Sequence, residues 1–224
     1  MSVIMSRQIV VPKYVTGTPA SDLAEGGIVY FNENGTPVPF YIAKHDYESG
    51  LNGAGRTLFV RKDACGLMAW NSINRNSYDG STIDNWFNNT YKALLDAAVQ
   101  NAIGTTKFYY TPGIGTNTVT TLERAVFALS LTELGKSMSN ANVEGSALPI
   151  ASMLQIAYRD GTAVAQWTRT PETSDVFYAC LLKADGSVTR YSSSYTYEPE
   201  GRPAFTLPST AKFDPETNVF LGVA

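Results

Sequence analysis

The sequence contains two cysteines and one histidine among 224 residues, and both scarcities exclude whole classes of protein. A disulfide scaffold or a cysteine-rich zinc site needs more thiols than Cys65 and Cys180 provide, so we expect two buried, reduced thiols. A catalytic triad or a histidine-ligated metal site is also poorly supported. His45 has no second histidine to assist it, and Asp46 would point to the opposite face of a strand. We interpret His45 as a structural or surface residue.

Charge and long apolar runs are sparse as well. Charged residues make up 17% of the chain, with 17 lysines and arginines against 20 aspartates and glutamates. Neither sign dominates a segment, so the sequence offers no basic footprint for nucleic acid or an anionic membrane. No window approaches 18 consecutive apolar residues, which predicts that no segment inserts into a membrane. The first residues lack the pattern of a secretory signal, so we expect synthesis in the cytoplasm.

Several catalytic signatures are missing too. The sequence has no phosphate-binding Walker loop, no dinucleotide-type glycine triplet after a strand, no His-Glu-x-x-His and no Gly-x-Ser-x-Gly. These absences favour a protein that is not an enzyme and that needs no cofactor or metal. A hydrolase of cell-wall glycans or peptides stays open as an alternative. It requires carboxylates such as Asp63, Asp175 and Asp185 to converge, which their spacing does not predict.

Short apolar and aromatic runs are what the sequence does contain. Hydrophobic residues make up 44% and aromatic residues 12%, enough for a folded core. Runs bounded by glycine and proline predict strands, and Asn34-Gly35 is typical of a hairpin, although we expect its loop to exceed two residues. The fold class we predict is a single α+β domain with short strands, one or two helices and long loops. The predicted strands cover 8–14, 27–31, 40–44, 57–61, 107–110, 125–129, 177–182, 187–191 and 204–207.

One helix is predicted over 82–102. Ser81 can accept a hydrogen bond from the first helical turn, and Asp84 places a negative charge at the positive end of the helix. Apolar residues follow at helical spacing and would form a buried face. They are Ile83, Phe87, Tyr91, Leu94, Leu95, Ala98 and Ile103.

The segment 190–200 is the strongest candidate for binding. Tyr191, Tyr195 and Tyr197 alternate with serine and threonine, the mixture that antibody loops use for contact. Tyrosine provides rigid contact area at low entropic cost, while serine provides adaptable hydrogen bonds. The alternative interpretation is an edge strand whose tyrosines reflect ordinary strand propensity.

An ordered set of segments resembles a known family. The set resembles a family of uncharacterised proteins encoded in phages and prophages of gut Firmicutes, and the resemblance covers about 25–210. That family looks like a divergent branch of the C-type-lectin-like fold, akin to the formylglycine-generating-enzyme domain. The segments are Phe40-Tyr-Ile-Ala-Lys-His-Asp-Tyr47, Asn52-Gly-Ala-Gly-Arg-Thr-Leu58 with Arg61-Lys62-Asp63, Trp70-Asn71-Ser72, Ser81-x-Ile83-x-x-Trp86-Phe-Asn88, Phe127-Ala-Leu-Ser-Leu-Thr-Glu-Leu-Gly135, Gln166-Trp-Thr-Arg-Thr-Pro171 and Gly201-Arg-Pro-Ala-Phe-Thr-Leu-Pro208.

The resemblance implies roles for particular residues. The last two segments would be central strands, and Arg169 and Arg202 would be buried and bond backbone carbonyls. Trp70 and Trp86 would be structural. Phage receptor-binding proteins of this fold class vary just before a Gly-x-Arg-Pro-Ala strand, which here is the tyrosine segment. The implied ligand contacts are Tyr191, Ser193, Tyr195, Tyr197, Glu198 and Trp167.

Two activities of related proteins do not carry over. The formylglycine-generating enzymes need a copper-binding cysteine pair, whereas Cys65 and Cys180 lie in other contexts. Glu198-Pro199-Glu200 resembles a calcium-and-sugar motif of C-type lectins, but the accompanying Trp-Asn-Asp is replaced by Trp70-Asn71-Ser72. Because calcium takes 6–8 oxygens from several segments, we interpret the glutamates as a solvated turn.

Two functions follow as expectations. In the first, the chain is a non-enzymatic phage virion protein whose lectin-like domain binds a glycan or protein on the host surface. In the second, it is a decoration or adaptor protein of the head, collar or tail that acts in particle assembly through strand addition by 8–14. Both expect other virion proteins as partners and a homo-oligomer. The predicted division is an assembly arm at 1–24, the lectin-like domain at 25–210 and a tail at 211–224.

Overall fold

The computed structural model of the protein describes residues 16–197 and 199–223. Strands account for 37% and helices for 14% of the residues, which gives a fold of small sheets with few, short helices. This composition is compatible with the predicted α+β class. No helix in the described residues is long and apolar enough to cross a membrane. The predicted strand 8–14 lies outside the described residues.

Within residues 16–197 and 199–223, the strands form three sheets and two separate hairpins. In chain order they are β1 (Thr18–Pro19), β2 (Ile28–Glu33), β3 (Thr36–Lys44), β4 (Arg56–Arg61), β5 (Thr106–Tyr110), β6 (Thr120–Arg124), β7 (Val126–Ala128), β8 (Ala157–Arg159), β9 (Thr162–Val164), β10 (Gln166–Pro171), β11 (Tyr178–Leu182), β12 (Val188–Ser192), β13 (Pro203–Pro208), β14 (Ala211–Phe213) and β15 (Phe220–Val223).

The largest sheet is antiparallel and has the order β2-β3-β4-β13-β7. Its first hairpin corrects the sequence analysis, because Glu33 pairs directly with Thr36 and the loop holds two residues, not more. Both loop residues have positive φ, 50° at Asn34 and 76° at Gly35. That backbone matches the right-handed twist of the flanking strands, and asparagine and glycine adopt it readily.

Phe31, a residue of β2, lies at the centre of the hydrophobic core that packs on this sheet. Its ring meets those of Phe40, Phe59 and Phe205 edge to face, with centroids 5.0, 5.2 and 5.1 Å away. Phe213 from β14 completes the cluster at 5.7 Å. Edge-to-face pairs contribute beyond the area that they bury, so the cluster fastens β14 to the largest sheet.

The second sheet has the order β10-β11-β12, so β10 lies at its edge. The resemblance implied two central strands, and this holds for β13 but not for β10. The edge of β10 is nevertheless covered, because Trp167 N donates to the carbonyl of Glu200 at 3.0 Å and Arg169 N to that of Leu129 at 2.9 Å. The strand thereby joins the smaller sheet to the segments that flank β13 and β7.

The C-terminal segment packs on its own chain. Strand β14 pairs with both β1 and β15, and Phe213 is fully buried. The burial of 211–213 therefore needs no neighbouring subunit. The remaining strands form the hairpins β5–β6 and β8–β9.

The predicted helix 82–102 forms in pieces. Ser81 Oγ accepts from Asp84 N at 3.2 Å, as predicted for the first turn. The chain becomes extended at Leu95, because Asn34 N donates to the Leu94 carbonyl and Asp96 N to that of Asn32, which draws this point onto β2. The helical pieces are Thr82–Asn85, a π-helical turn Trp86–Tyr91, Lys92–Leu94 and Ala97–Ala102; others are Ala20–Asp22, Ser49–Asn52 and Ala151–Leu154.

Candidate functional site

Four loops from distant parts of the sequence are joined into one cluster, which we call the loop cluster. They comprise residues 66–80, 111–119, 172–177 and 192–197. Asn71 N donates to Ser193 O at 2.8 Å, and Ser193 N donates to Phe177 O at 2.8 Å. These backbone bonds connect the loop after β4 with the loop before β11 and the loop after β12.

Asn76 is the centre of the loop cluster and is 1% exposed. Its Nδ2 lies 2.7, 2.8 and 3.1 Å from the carbonyl oxygens of Glu172, Asp175 and Tyr178. Its Oδ1 accepts from Ile114 N at 2.8 Å, and its backbone N donates to Val176 O. One amide therefore holds three loops, and buried groups of this kind are costly to leave unpaired.

Three tyrosines form a continuous row on the cluster. The ring centroids of Tyr191 and Tyr195 lie 4.8 Å apart, and those of Tyr195 and Tyr197 lie 5.7 Å apart, both pairs edge to face. Exposure rises along the row, from partly buried Tyr191 and Tyr195 to Tyr197 at 83%. Consecutive rings contact each other, so the exposed Tyr197 ring packs on one side against Tyr195.

Two residues implied as ligand contacts are instead buried. Trp167 is 2% exposed, and its Nε1 donates to the Met68 carbonyl at 2.8 Å. Ser193 is fully buried, and its backbone ties two loops together. Both residues support the loop cluster from beneath and present no side chain to a ligand. Glu198 lies outside the described residues.

Exposed apolar side chains on the loop cluster were missed by the sequence analysis. Ten large apolar side chains are exposed among the described residues, and five of them lie on these loops, with Ile73 at 69%. A concentration of this kind marks an interaction surface more often than chance exposure does. The available signal was an isolated isoleucine within the polar run Asn71-Ser-Ile-Asn-Arg75. The five are Leu67, Ile73, Ile114, Phe177 and Tyr197.

Of the residues that the resemblance implies to be structural, Arg169, Arg202 and Trp70 are buried and Trp86 is partly buried. Arg202 donates to the carbonyls of Arg61, Leu154 and Lys62 at 2.8–2.9 Å. Burial lowers the pKa of Arg202 to about 10, since its guanidinium lies among carbonyls rather than carboxylates. Trp70 is fully buried and its Nε1 donates to Thr168 O at 2.7 Å, whereas half-buried Trp86 packs against neighbouring aromatic rings of its helix.

Arg169 lies in a fully buried charged network. It donates to the carbonyls of Tyr109 and Ala128 at 3.0 Å and to Glu133 Oε2 at 2.6 Å. Glu133 also accepts from the Tyr47 hydroxyl and from Ser130 N. A second buried carboxylate, Glu144, accepts from Thr111 N and the Thr170 hydroxyl, each at 2.6 Å. This network fixes β10 to the loops that precede it, and burial raises the pKa of Glu144.

His45 and the two cysteines, which were considered for catalysis or metal binding, lie in structural surroundings. His45 Nδ1 lies 3.0 Å from Thr57 Oγ1, and Nε2 lies 2.9 Å from the Leu23 carbonyl. Cys65 is partly buried and Cys180 is buried, both as free thiols, and burial raises the pKa of each to about 12. Thiols in such sites are poor nucleophiles at neutral pH.

The carboxylates that the hydrolase alternative requires make separate contacts in different segments of the chain. Asp175 accepts from Phe177 N at 2.9 Å and Asp185 from Ser187 N at 2.8 Å, so each closes its own turn. Asp63 lines a cleft of about 300 Å³, where the nearby cation Arg159 is already ion-paired with Glu200. Glu200 is fully buried, so the interpretation of this glutamate as part of a solvated turn is wrong. Among the described residues, no group of three or more histidine, cysteine, aspartate or glutamate side chains is arranged to hold a metal ion.

Glu48 provides a pH-dependent test of the buried charges. Burial, followed by the negative charge of Glu133, raises the pKa of the Glu48 carboxyl. A carboxyl whose pKa is higher in the folded than in the unfolded protein contributes to stability when it is protonated, at a pH below its unfolded pKa. This contribution is lost as the pH rises through the folded pKa. Glu48→Gln should therefore raise the melting temperature at neutral pH and change it little in acid, as measured by thermal unfolding. An equal gain at both pH values, or a matching gain in exposed Glu123→Gln, would contradict this explanation.

Comparison with known proteins places the chain in a family. No curated protein and no solved structure matches it. The family model described as a domain of unknown function, DUF6273, matches residues 54–209. The match includes β4, β13 and all four loops of the loop cluster, and it covers more than half of the sequence. The chain therefore belongs to the DUF6273 family.

Proposed function

We propose that this chain is a non-enzymatic bacteriophage virion protein that uses the loop cluster to bind ligands on the host surface. The observation that carries the proposal is the row of Tyr191, Tyr195 and Tyr197, ending in a ring that is 83% exposed. Tyrosines beside serine hydroxyls lose little side-chain entropy on binding. The phage assignment rests on the sequence resemblance, which also implies virion proteins as partners and a homo-oligomeric particle component.

We propose further that the fold is a divergent C-type-lectin-like domain, as the resemblance implies. Two antiparallel sheets that share a core, with long loops gathered beside them, support this assignment. Buried Arg169 and Arg202 support it as well, since Arg169 donates to carbonyls of β5 and β7, and Arg202 to carbonyls of the last residue of β4 and of the residue after it. The absence of the calcium-type tripeptide at Trp70-Asn71-Ser72 favours binding through side chains rather than through a bound cation.

The binding test compares the wild-type protein with Tyr195→Ala/Tyr197→Ala on envelopes of gut Firmicutes. We expect saturable binding by the wild type and a loss of at least about tenfold in affinity for the double variant, because interface tyrosines are frequent hot spots. Tyr158→Ala is the matched control, since Tyr158 is exposed on the β8–β9 hairpin instead. Unchanged binding by a folded double variant would overturn the site, and no wild-type binding would overturn the function.

An assembly role is the second candidate, and one observation favours it. Leu221 and Val223 are 41% and 37% exposed on β15, the last strand of the sheet β1-β14-β15. Exposed apolar side chains on an outer strand are suited to pairing with another chain. In this case the protein would act as a decoration or adaptor of the head, collar or tail, and particle assembly would depend on this sheet rather than on the tyrosine row.

A further inference from the structure

The side chains exposed on the loop cluster distinguish between two classes of ligand. We infer that the loop cluster binds a protein on the host surface, not a glycan. This inference rests on the proposed function and specifies its partner. Three features carry it: the exposed aliphatic side chains, the state of the charged groups and the fixed loop backbones.

The aliphatic side chains favour a protein. Leu67, Ile73 and Ile114 are 50%, 69% and 43% exposed, on two loops that Asn76 connects. An aromatic ring can stack on a sugar, but an aliphatic chain buried against a glycan would desolvate hydroxyl groups without bonding them. Protein interfaces place aliphatic and aromatic side chains together at a dry centre. The combination on this surface therefore matches a protein partner.

The charged groups of the loop cluster are largely committed within the chain. Buried Glu172 pairs with Arg190 at 2.8 Å, and Asp79 is ion-paired with Arg124. Asp175 closes its own turn through Oδ1. An acidic cell-wall polymer would need exposed cations to bind, and in the described part of the cluster Arg75 alone is an exposed cation. A partner therefore needs few charges opposite the loop cluster, and binding should depend little on salt.

The fixed backbone of the cluster fits this partner. Asn76 holds three loops, and Asn117 Nδ2 adds a bond to the Thr173 carbonyl at 3.0 Å. A preformed surface loses little conformational entropy on docking to another preformed surface. Tyr197 and Ile73 would then be the most exposed anchors of the contact.

The experiment measures binding of the full chain to envelopes of gut Firmicutes that are untreated, digested with protease or oxidised with periodate. We expect protease to abolish binding, whereas periodate and high salt should change the affinity less than about threefold. Binding that survives protease and is lost after periodate would identify a glycan and overturn the inference while leaving the proposed function standing. Absence of binding to untreated envelopes would overturn both.

A pair of variants tests the aliphatic contact itself. Ile73→Ser should weaken binding to untreated envelopes about tenfold, the loss typical of an interface hot spot. Met153→Ser is the control, because Met153 is 46% exposed on the helical turn Ala151–Leu154, outside the loop cluster. Thermal melting verifies that both variants are folded. Equal binding by the two variants would overturn the role of the aliphatic side chains.

Discussion

Replacing Gly113 by alanine should destabilise the protein by about 3 kcal/mol, as measured by denaturant unfolding. A Cβ at this position would lie 2.0 Å from the backbone oxygen of Asn76 and 2.8 Å from its carbonyl carbon. Neither atom belongs to a flexible side chain, so the loop 111–119 would have to move away from the residue that holds the cluster. The φ of +78° adds strain for any residue with a side chain.

Gly115→Ala separates the clash from the strain. Gly115 lies in the same loop with φ +79°, and a Cβ there would meet no atom within 4 Å. It should therefore cost only the backbone strain, about 1 kcal/mol. If both variants lost the same stability, the close approach of Gly113 to Asn76 would not matter. Gly113→Ala should also weaken envelope binding, although it removes no exposed side chain.

Arg169→Met should cost about 3–5 kcal/mol at neutral pH, because it leaves buried carboxylates without their cation. The Arg169 and Glu133 side chains are both fully buried and lie 2.6 Å apart. Methionine keeps much of the volume of the arginine side chain. The loss in the free energy of unfolding therefore comes chiefly from the missing positive charge and from the two carbonyls that lose a hydrogen-bond donor. Denaturant unfolding at two pH values provides the check. The deficit should shrink in acid, because burial raises the pKa of Glu144 and the variant lacks the Arg169 charge that lowers it, so protonation neutralises this carboxylate more readily.

Lys107→Met is the control for that experiment. Lys107 and Glu123 form an ion pair 3.1 Å apart, with side chains that are 39% and 55% exposed. Exposed pairs contribute at most about 1 kcal/mol, so this variant should unfold nearly like the wild type at both pH values. A deficit for Arg169→Met that is as small as the control, or that is independent of pH, would show that the buried network is not held by charge.

Much of the strand structure was predictable because it is encoded locally. The prediction of 57–61 corresponds to Arg56–Arg61, and that of 204–207 to Pro203–Pro208. Short apolar runs between glycine and proline turns suffice to locate such strands. The N-cap at Ser81 was equally visible, since a serine followed three residues later by aspartate favours a helix start.

The features that were missed depend on contacts between distant segments. The helix ends its first part at Leu95 because the backbone there bonds to residues of the Asn32–Asn34 region, about 60 residues earlier in the chain. The loop length at Asn34-Gly35 depends on strand register, which the sequence does not state. No local pattern indicates which face of β10 is covered, and for that reason Trp167 was predicted as a contact although it is buried.

The candidate site was predictable only in part. Composition located the tyrosine row, because tyrosine mixed with serine has a recognisable chemistry. It could not place Ile73, Ile114 and Phe177 in the same loop cluster, since the loops that carry them are separated by about 40 and 60 residues in the chain and are joined by Asn76. A buried asparagine that bonds several carbonyls looks, in sequence, like any other loop asparagine.

Hydrogen–deuterium exchange of the protein, free and bound to host envelopes, tests the central claim most directly. If the loop cluster is the binding surface, binding should slow exchange in residues 66–80, 111–119, 172–177 and 192–197 and leave β14 and β15 unchanged. Protection confined to 211–223, with none in the loop cluster, would contradict the claim and favour the assembly role.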